Sequence, residues 1–342
     1  MKYSILILAA IICIVNTLFA QTPDDYSFRQ TYRVSTPAEL EIQTNDGFIK
    51  VNPHSSNEIE VFFIVRKNNR VLEMDLEELE DHLDVDITSS SDRLEIKIRQ
   101  KESNWIGNWK DRYYVSLQIN APARTGCNLK TSDGDITLMG FEGEQTCKTS
   151  DGDITVDDIQ GNLSAQTSDG DIEVSDIQGE AELITSDGDI RVADITGTAS
   201  LRTSDGKIIA SNINGDTKAQ TSDGNILLEN IRGENEARTS DGNIEFENMR
   251  GSLTAHTSDG DIRGDLDQLT NKLYLKTSDG NITVSVPGGL GLDVRLKGED
   301  IHTQLDDFSG NTGDHYIEGT IRGGGVEVEL ITSDGDINLN YQ

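Results

Sequence analysis

Carboxylates are the most abundant side chains here that could do chemistry, and they recur at fixed places. An aspartate follows Thr-Ser and precedes Gly at Asp133, Asp151, Asp169, Asp187, Asp205, Asp223, Asp241, Asp259 and Asp279. A second acid comes two residues later at Asp135, Asp153, Asp171, Asp189 and Asp261. Three chemistries suit this pattern. Paired carboxylates flanking a sugar would hydrolyse a glycosidic bond. Carboxylates joined by turn carbonyls would hold Ca²⁺, as in nonapeptide β-rolls. An Asp in a tight turn would accept from the N–H groups of its own turn. The third is expected. Each unit offers one Asp-Gly turn rather than two facing ones, and carboxylates this common single out no catalytic pair.

The other reactive side chains give little. His54, His82, His256, His302 and His315 are scattered without metal-ligand spacing. There is no Gly-x-Ser-x-Gly elbow and no phosphate loop. No catalytic residue, metal or cofactor is expected. The one aromatic cluster is Trp105, Trp109, Tyr113 and Tyr114. Exposed aromatics of this kind anchor partners, so these four are the candidate partner-binding residues. Packing of a cap onto the first coil is the competing role.

The elements that position these groups follow from the spacing. Thr-Ser-Asp-Gly begins at Thr131, Thr149, Thr167, Thr185, Thr203, Thr221, Thr239 and Thr257, always 18 residues apart. It returns at Thr277 and Thr332, and a relative, Thr44-Asn45-Asp46-Gly47, precedes the series. A short fixed period is the signature of a solenoid. Numbered from its Thr, each unit has Ile at position 6 (Ile136 to Ile262) and mostly apolar residues at 8 and 11. Position 13 is glycine from Gly143 to Gly251, and position 17 is small or apolar. Alternation at 6 and 8, and at 15, 17 and 1, is the period of a strand with one face inward. The Asp-Gly pair reads as a turn whose Gly takes positive φ. Gly at 13 reads as a second corner, and a bend falls near positions 9 and 10.

The expected fold is therefore all-β: a single-stranded parallel β-solenoid with 18 residues per coil. Right-handed winding is the default for parallel crossovers. Left-handed hexapeptide helices are rejected, because the apolar positions do not recur every six residues. Inward parity also places the Thr of each unit inside, bonded to other hydroxyls or to the turn backbone. That excludes the outward Thr rows an ice-binding face requires.

Residues 21–126 are less regular and read as an N-terminal β-rich cap. Strands are expected at 38–44, 48–52, 58–66, 83–88, 94–99 and 113–119, with one short helix at 71–82 whose leucines share a face. Residues 127–285 form the repeat solenoid. Residues 286–342 read as C-terminal coils and a cap, with a polar loop at 306–319. Solenoids need such ends to protect the terminal coil. Cys127 and Cys147 fall on adjacent coils with a two-residue diagonal offset, roughly 8 Å apart on strand geometry. That exceeds disulfide reach, so free buried thiols are expected.

Residues 1–20 read as a signal peptide: Lys2, an apolar run from Ile5 to Phe19, and Ala20 before Gln21. Cys13 follows Ile11 and Ile12 rather than a small residue, which argues against a lipid anchor. No second spanning apolar run follows. The expected protein is exported, to periplasm, cell surface or medium. The chain has 342 residues, 29 Lys+Arg against 61 Asp+Glu, and a net charge of −32. Residues 131–282 carry 31 acids and 11 bases, a net of −20. Such a rod repels nucleic-acid phosphates and anionic membranes. Carboxylates about 4.8 Å apart repel by on the order of 1 kcal/mol per neighbouring pair, so raised carboxyl pKa values are expected along part of the rod.

The Thr-Ser-Asp-Gly-Asp-Ile units resemble the bacterial adhesin-like family of exported β-strand-repeat proteins. So does the ending Val286-Pro287, Gly323-Gly324-Gly325-Val326-Glu327-Val328 and Thr332 to Ile337. The likeness covers most of the chain. It implies a surface or envelope role and supplies no catalytic residues. Joined to the multivalence of a repeated surface, it points to a non-enzymatic adhesin-like or envelope structural protein whose partner is a surface ligand, a glycan or an envelope protein. A secreted polysaccharide-acting enzyme and a calcium-dependent scaffold are the alternatives.

Overall fold

The computed structural model describes residues 25–101 and 112–342; the expected signal peptide lies outside them. The chain is all-β apart from one short helix. Two parallel ladders dominate. In the first, Ile136–Glu142 pairs with Ile154–Gln160, which sets Ile136 opposite Ile154 and Phe141 opposite Ile159. The same register carries on through Ile172–Gln178, Ile190–Thr196 and Ile208–Asn214. In the second, Gln145–Lys148, Leu163–Gln166, Ala181–Ile184 and Ala199–Arg202 stack in order. Identical residues meet because the sequence repeats with the ladder, and the position-6 isoleucines from Ile136 to Ile282 are fully buried. Each contributes about 1.5–3 kcal/mol of apolar burial.

Three corners bend the chain. At position 10, Asp158, Asp176, Asp194, Asn212, Asn230 and Asn248 all have φ between 54° and 58°. Asp and Asn tolerate this left-handed conformation best after glycine, which fixes the bend anticipated near positions 9 and 10. At position 13 the glycines do take positive φ, for example Gly197 at 141° and Gly251 at 128°. At position 4 the expectation holds only for Gly47, at 141°; Gly134, Gly152 and the later equivalents are not at positive φ. Glycine stands there for closeness instead. A Cβ on Gly152 would lie 2.0 Å from the Gly134 carbonyl oxygen of the preceding unit.

The threonines close each turn from inside. Thr203 Oγ1 lies 3.0 Å from both the Ser186 and Gly188 carbonyl oxygens, and accepts from its own Gly206 N–H at 3.3 Å. The hydroxyl thus ties three backbone groups that are buried at the coil edge.

The ladders run through two long excursions of the chain. Thr131 Oγ1 bonds to the Asn45 and Gly47 carbonyls as later threonines bond to their predecessors. Thr44–Gly47 is therefore the turn next to Thr131, although 87 residues separate Thr44 from Thr131. At the other end Thr332 bonds to Ser278 and Gly280 in the same way.

Each excursion builds the end cap. At the N-terminal end, Arg93–Gln100 lies parallel to Ala38–Gln43, and Tyr114–Pro122 lies parallel to Ile49–His54. These strands add one more layer. Antiparallel strands then close it: Glu58–Lys67 on Tyr114–Pro122, Phe28–Arg33 on Glu58–Lys67, and Leu83–Ser89 on Arg93–Gln100. At the C-terminal end, Leu292–Lys297 and Ile301–Thr303 extend the ladders. Antiparallel pairing needs only a tight turn, whereas another parallel layer needs a full crossover.

Some cap details depart from expectation. The helix spans Leu76–His82 only, because Asp75 caps it with a reciprocal Glu78 bond and Arg70–Val71 pairs back onto the preceding strand. Phe28–Arg33 is a strand that the sequence did not mark. The polar segment 306–319 is no loop: Ser309–Gly313 and Tyr316–Ile321 form an antiparallel hairpin.

The two cysteines hold the diagonal anticipated for them. Cys127 faces Gln145 and Cys147 faces Leu129, and both are free and buried. Burial pushes both thiols up, Cys147 to about 12, with Cys147 adding to the rise at Cys127. Neither forms a thiolate near neutral pH, so an alkylating reagent should leave both untouched in the folded protein. Both should label after denaturation without reductant. Absence of these two thiols in the denatured, unreduced protein would contradict the register.

Candidate functional site

The aspartate ladders prove to be structural. At position 5, Asp135 Oδ1 accepts the Asp153 N–H at 3.0 Å, and Asp153 Oδ1 accepts the Asp171 N–H at 2.8 Å. The chain of acceptors continues from Asp171 to Asp189 and from Asp189 to Lys207. Asn243 and Asp261 do the same further on, which explains why Asn replaces Asp there: both present an acceptor. The position-3 aspartates do not form the expected Asx-turns. Among the described residues their carboxylates accept no bond from their own turn, and their N–H groups donate to the preceding unit, as Asp151 does to Ser132 at 3.0 Å. The Thr hydroxyl fills the turn-closing role instead. Among the described residues no cluster of His, Cys, Asp or Glu is arranged to hold a metal ion.

The groove whose lining differs most from the repeated units lies at the N-terminal end. A groove of about 590 Å³ opens between the first two turns and the cap, lined by Asp46, Arg66, Asn68, Asn69, Tyr114, Ser116 and Asp133. Asn68 and Asn69 form the turn between Glu58–Lys67 and Arg70–Val71, both at positive φ, 53° and 63°. Arg66 reaches across from the strand before that turn. Its guanidinium lies 5.9 Å from the centroid of Phe48 and 3.5 Å from Ser116 Oγ. Tyr114 is 43% exposed.

Of the four predicted aromatics, Trp105 and Trp109 lie outside the described residues. Tyr113 and Tyr114 are separated by strand alternation. Tyr113 stacks on His82 with centroids 4.4 Å apart and carries Lys67 Nζ 4.7 Å from its centroid, so it packs the cap. Of the two described tyrosines, Tyr114 faces the groove. The sequence reading missed Arg66, Asn68 and Asn69. An Asn-Asn pair after an alternating run was the available signal for a tight hairpin turn.

Asp46 and Asp133 occupy equivalent places on neighbouring turns. Burial chiefly, then the Asp133 charge, raise the Asp46 pKa, with Arg112 opposing. Further along, burial and the charges of Asp157, Asp194 and Asp158 raise Asp176, the direction anticipated for a crowded acidic rod. A folded-state value above the unfolded one means stability that is present in acid and lost as pH rises through the folded value. Asp46→Asn should therefore stabilise the protein near neutral pH by less than about 1 kcal/mol after solvent screening. It should also flatten the decline in melting temperature between acid and neutral pH. A lower melting temperature for the variant at neutral pH would contradict this.

The parallel ladders, repeated turns and capped ends define an all-β, solenoid-like repeat protein. The chain belongs to the Toastrack DUF4097 family, whose model matches residues 38–234 and 232–340. The first match begins at Ala38, where the first ladder strand begins. Solved structures similar to it include a candidate cell adhesion protein from Clostridium sporogenes. That likeness is 12% identical, covers 92% of this chain and 99% of the other, and has a TM-score of 0.23. A candidate adhesin from Bacteroides fragilis is 18% identical over 76% of this chain and 96% of its own, TM-score 0.30. A candidate lipid binding protein from Parabacteroides distasonis is 13% identical over 91% and 96%, TM-score 0.28. No curated protein matches the chain. Among the described residues no helix is long and apolar enough to cross a membrane.

Proposed function

We propose that this is an exported, non-enzymatic, adhesin-like binding protein of the cell envelope, built as a right-handed solenoid in which each 18-residue unit is one coil. Residues 1–20 act as the export signal, 21–126 as the N-terminal cap, 127–285 as the repeat rod and 286–342 as the C-terminal coils and cap. The observation that carries the reading is the end groove. There an exposed tyrosine, a guanidinium and two asparagine amides converge beside an otherwise uniform rod. That set suits a surface ligand held by stacking and hydrogen bonds, a glycan or an envelope protein.

Co-sedimentation of the full chain with envelope fragments tests this. Binding should be retained by Tyr316→Ala, whose ring is exposed at the far end, and lost by Tyr114→Ala and Arg66→Ala. Turnover of a polysaccharide by the unaltered protein, abolished by Asp46→Asn, would overturn the reading.

A further inference from the structure

The second ladder turns three columns of side chains outward. In each unit, numbered from its Thr, positions 15 and 17 face the core, so positions 14, 16 and 18 face solvent. Over the seven units from Thr131 to His256 the two outer columns differ in sign. Position 14 holds Glu144, Glu180, Asp216 and Glu234 and no base. Position 18 holds Lys148, Arg202 and Arg238 and no acid. Lys130 and Lys276 extend that basic column at either end.

These columns cannot neutralise each other within one molecule. Four residues of strand hold them about 13 Å apart. The ion pairs on this face instead join Lys218 and Arg238 to Glu236 in the middle column, at 3.9 and 2.7 Å. Among the described residues Glu144, Glu180, Asp216 and Glu234 form no ion pair. The middle column is otherwise mostly short, with Thr146, Ser164, Ser200 and Thr254, which lets a flat partner come close. Along position 14 the face dips into a groove of about 670 Å³, lined there by the consecutive column members Thr198, Asp216, Glu234 and Ser252.

We propose that a second copy of this chain docks on this face, its rod parallel to the first, with a two-fold axis running along the rods over position 16. That operator carries position 18 of one copy onto position 14 of the other in every coil. Lys148 then meets Glu144 of the second copy, Gln166 meets Asn162, Gln220 meets Asp216 and Arg238 meets Glu234. The same contacts recur in reverse, as in any isologous pair. The groove receives the long side chains of Arg202, Gln220 and Arg238 from the second copy. A two-fold axis across the rods would instead lay acid column on acid column, the juxtaposition that suppresses wrong pairings. Charges more than about 8 Å from the contact are largely screened at physiological salt, so the local pattern outweighs the net charge of −32. The contact spans about 34 by 13 Å, on the order of 500 Å² per copy, at the small end of specific interfaces. The pair is therefore weak and forms where the protein is crowded. It turns two end grooves the same way, which makes a ligand contact there bivalent. The pairing itself does not depend on that groove.

Sedimentation velocity and solution scattering of the full chain test this, from micromolar to millimolar concentration at physiological ionic strength. A concentration-dependent dimer should appear, with the monomer's length and a wider cross-section. Lys148→Glu combined with Arg238→Glu should weaken self-association by about tenfold or more, and so should Glu144→Lys combined with Glu234→Lys. Mixed together, these two variants should pair with each other, because each supplies the charge that the other has reversed. A folding defect would not be rescued by mixing. Glu182 lies on the axis, where it faces its own copy, so Glu182→Gln should tighten the pair several-fold. Tyr114→Ala should leave self-association unchanged. A monomer at every concentration would overturn the inference. So would a dimer of doubled length, or charge-reversed variants that fail to pair on mixing.

Discussion

Gly206→Ala is expected to disrupt the middle of the rod, with a loss of stability above about 4 kcal/mol, at the far end of the range for single substitutions. The added Cβ would lie 1.9 Å from the Gly188 carbonyl oxygen and 2.5 Å from its carbon. Both are backbone atoms of the preceding unit and cannot swing aside as a side chain could. Relief requires the coils to part, which breaks the Ser186 and Gly188 carbonyl bonds that Thr203 makes. Gly143→Ala is the matched control. That glycine has φ of 106°, but nothing lies within 4 Å of an added Cβ, so only the backbone penalty of about 1 kcal/mol applies. Urea unfolding of the two variants separates close approach from conformational freedom. Equal losses would show that position 4 is glycine for its φ after all.

Thr203→Val should cost about 2–4 kcal/mol, while Thr203→Ser should cost much less. Valine keeps the shape and removes the hydroxyl. The Gly188 carbonyl and the Gly206 N–H then lose this partner at the buried coil edge, while the Ser186 carbonyl keeps the Ser204 and Asp205 N–H groups. Leaving buried groups unmet costs about 1–3 kcal/mol each, partly recovered where the neighbouring ladder relaxes. Serine keeps the hydroxyl and loses one methyl, about 0.8 kcal/mol. Because each repeat contacts only its neighbours, the damage should appear as local opening around that coil, visible as faster amide exchange at Ser204 and Asp205. A valine variant as stable as the serine one would mean that the threonine ladder serves only packing.

The repeat and its strand ladders were legible in the sequence because every unit solves the same problem. Ile at position 6 and small residues at 17 face inward in each, so the strand period and the threonine parity could be read directly. The reason for the position-4 glycine could not. Asp-Gly is a turn signal locally, but the constraint on Gly152 comes from Gly134, 18 residues away. Capping was equally hidden. Nothing local in residues 93–100 says that they will extend the ladder begun at Ala38, since that pairing depends on the chain returning to Thr125 in register. The end groove is the least legible feature. Asp46, Arg66, Tyr114 and Asp133 meet only after both ends of that excursion have docked. The aromatic cluster pointed toward its neighbourhood, yet strand alternation put Tyr113 into packing and left Tyr114 at the groove.

The account stands on one coil being one 18-residue unit, and deletion of Thr203–Gln220 tests that most directly. Arg202 would then join Thr221, and Thr221 would stack on the turn of Thr185 as Thr203 does now. The predicted result is a protein with the same β-rich circular dichroism, cooperative unfolding, and a rod shorter by about 4.8 Å in solution scattering. Deletion of only the first half of that unit should destroy the register and unfold the chain. If removal of the whole unit unfolds the protein as thoroughly as removal of half, the stacked 18-residue coil is wrong.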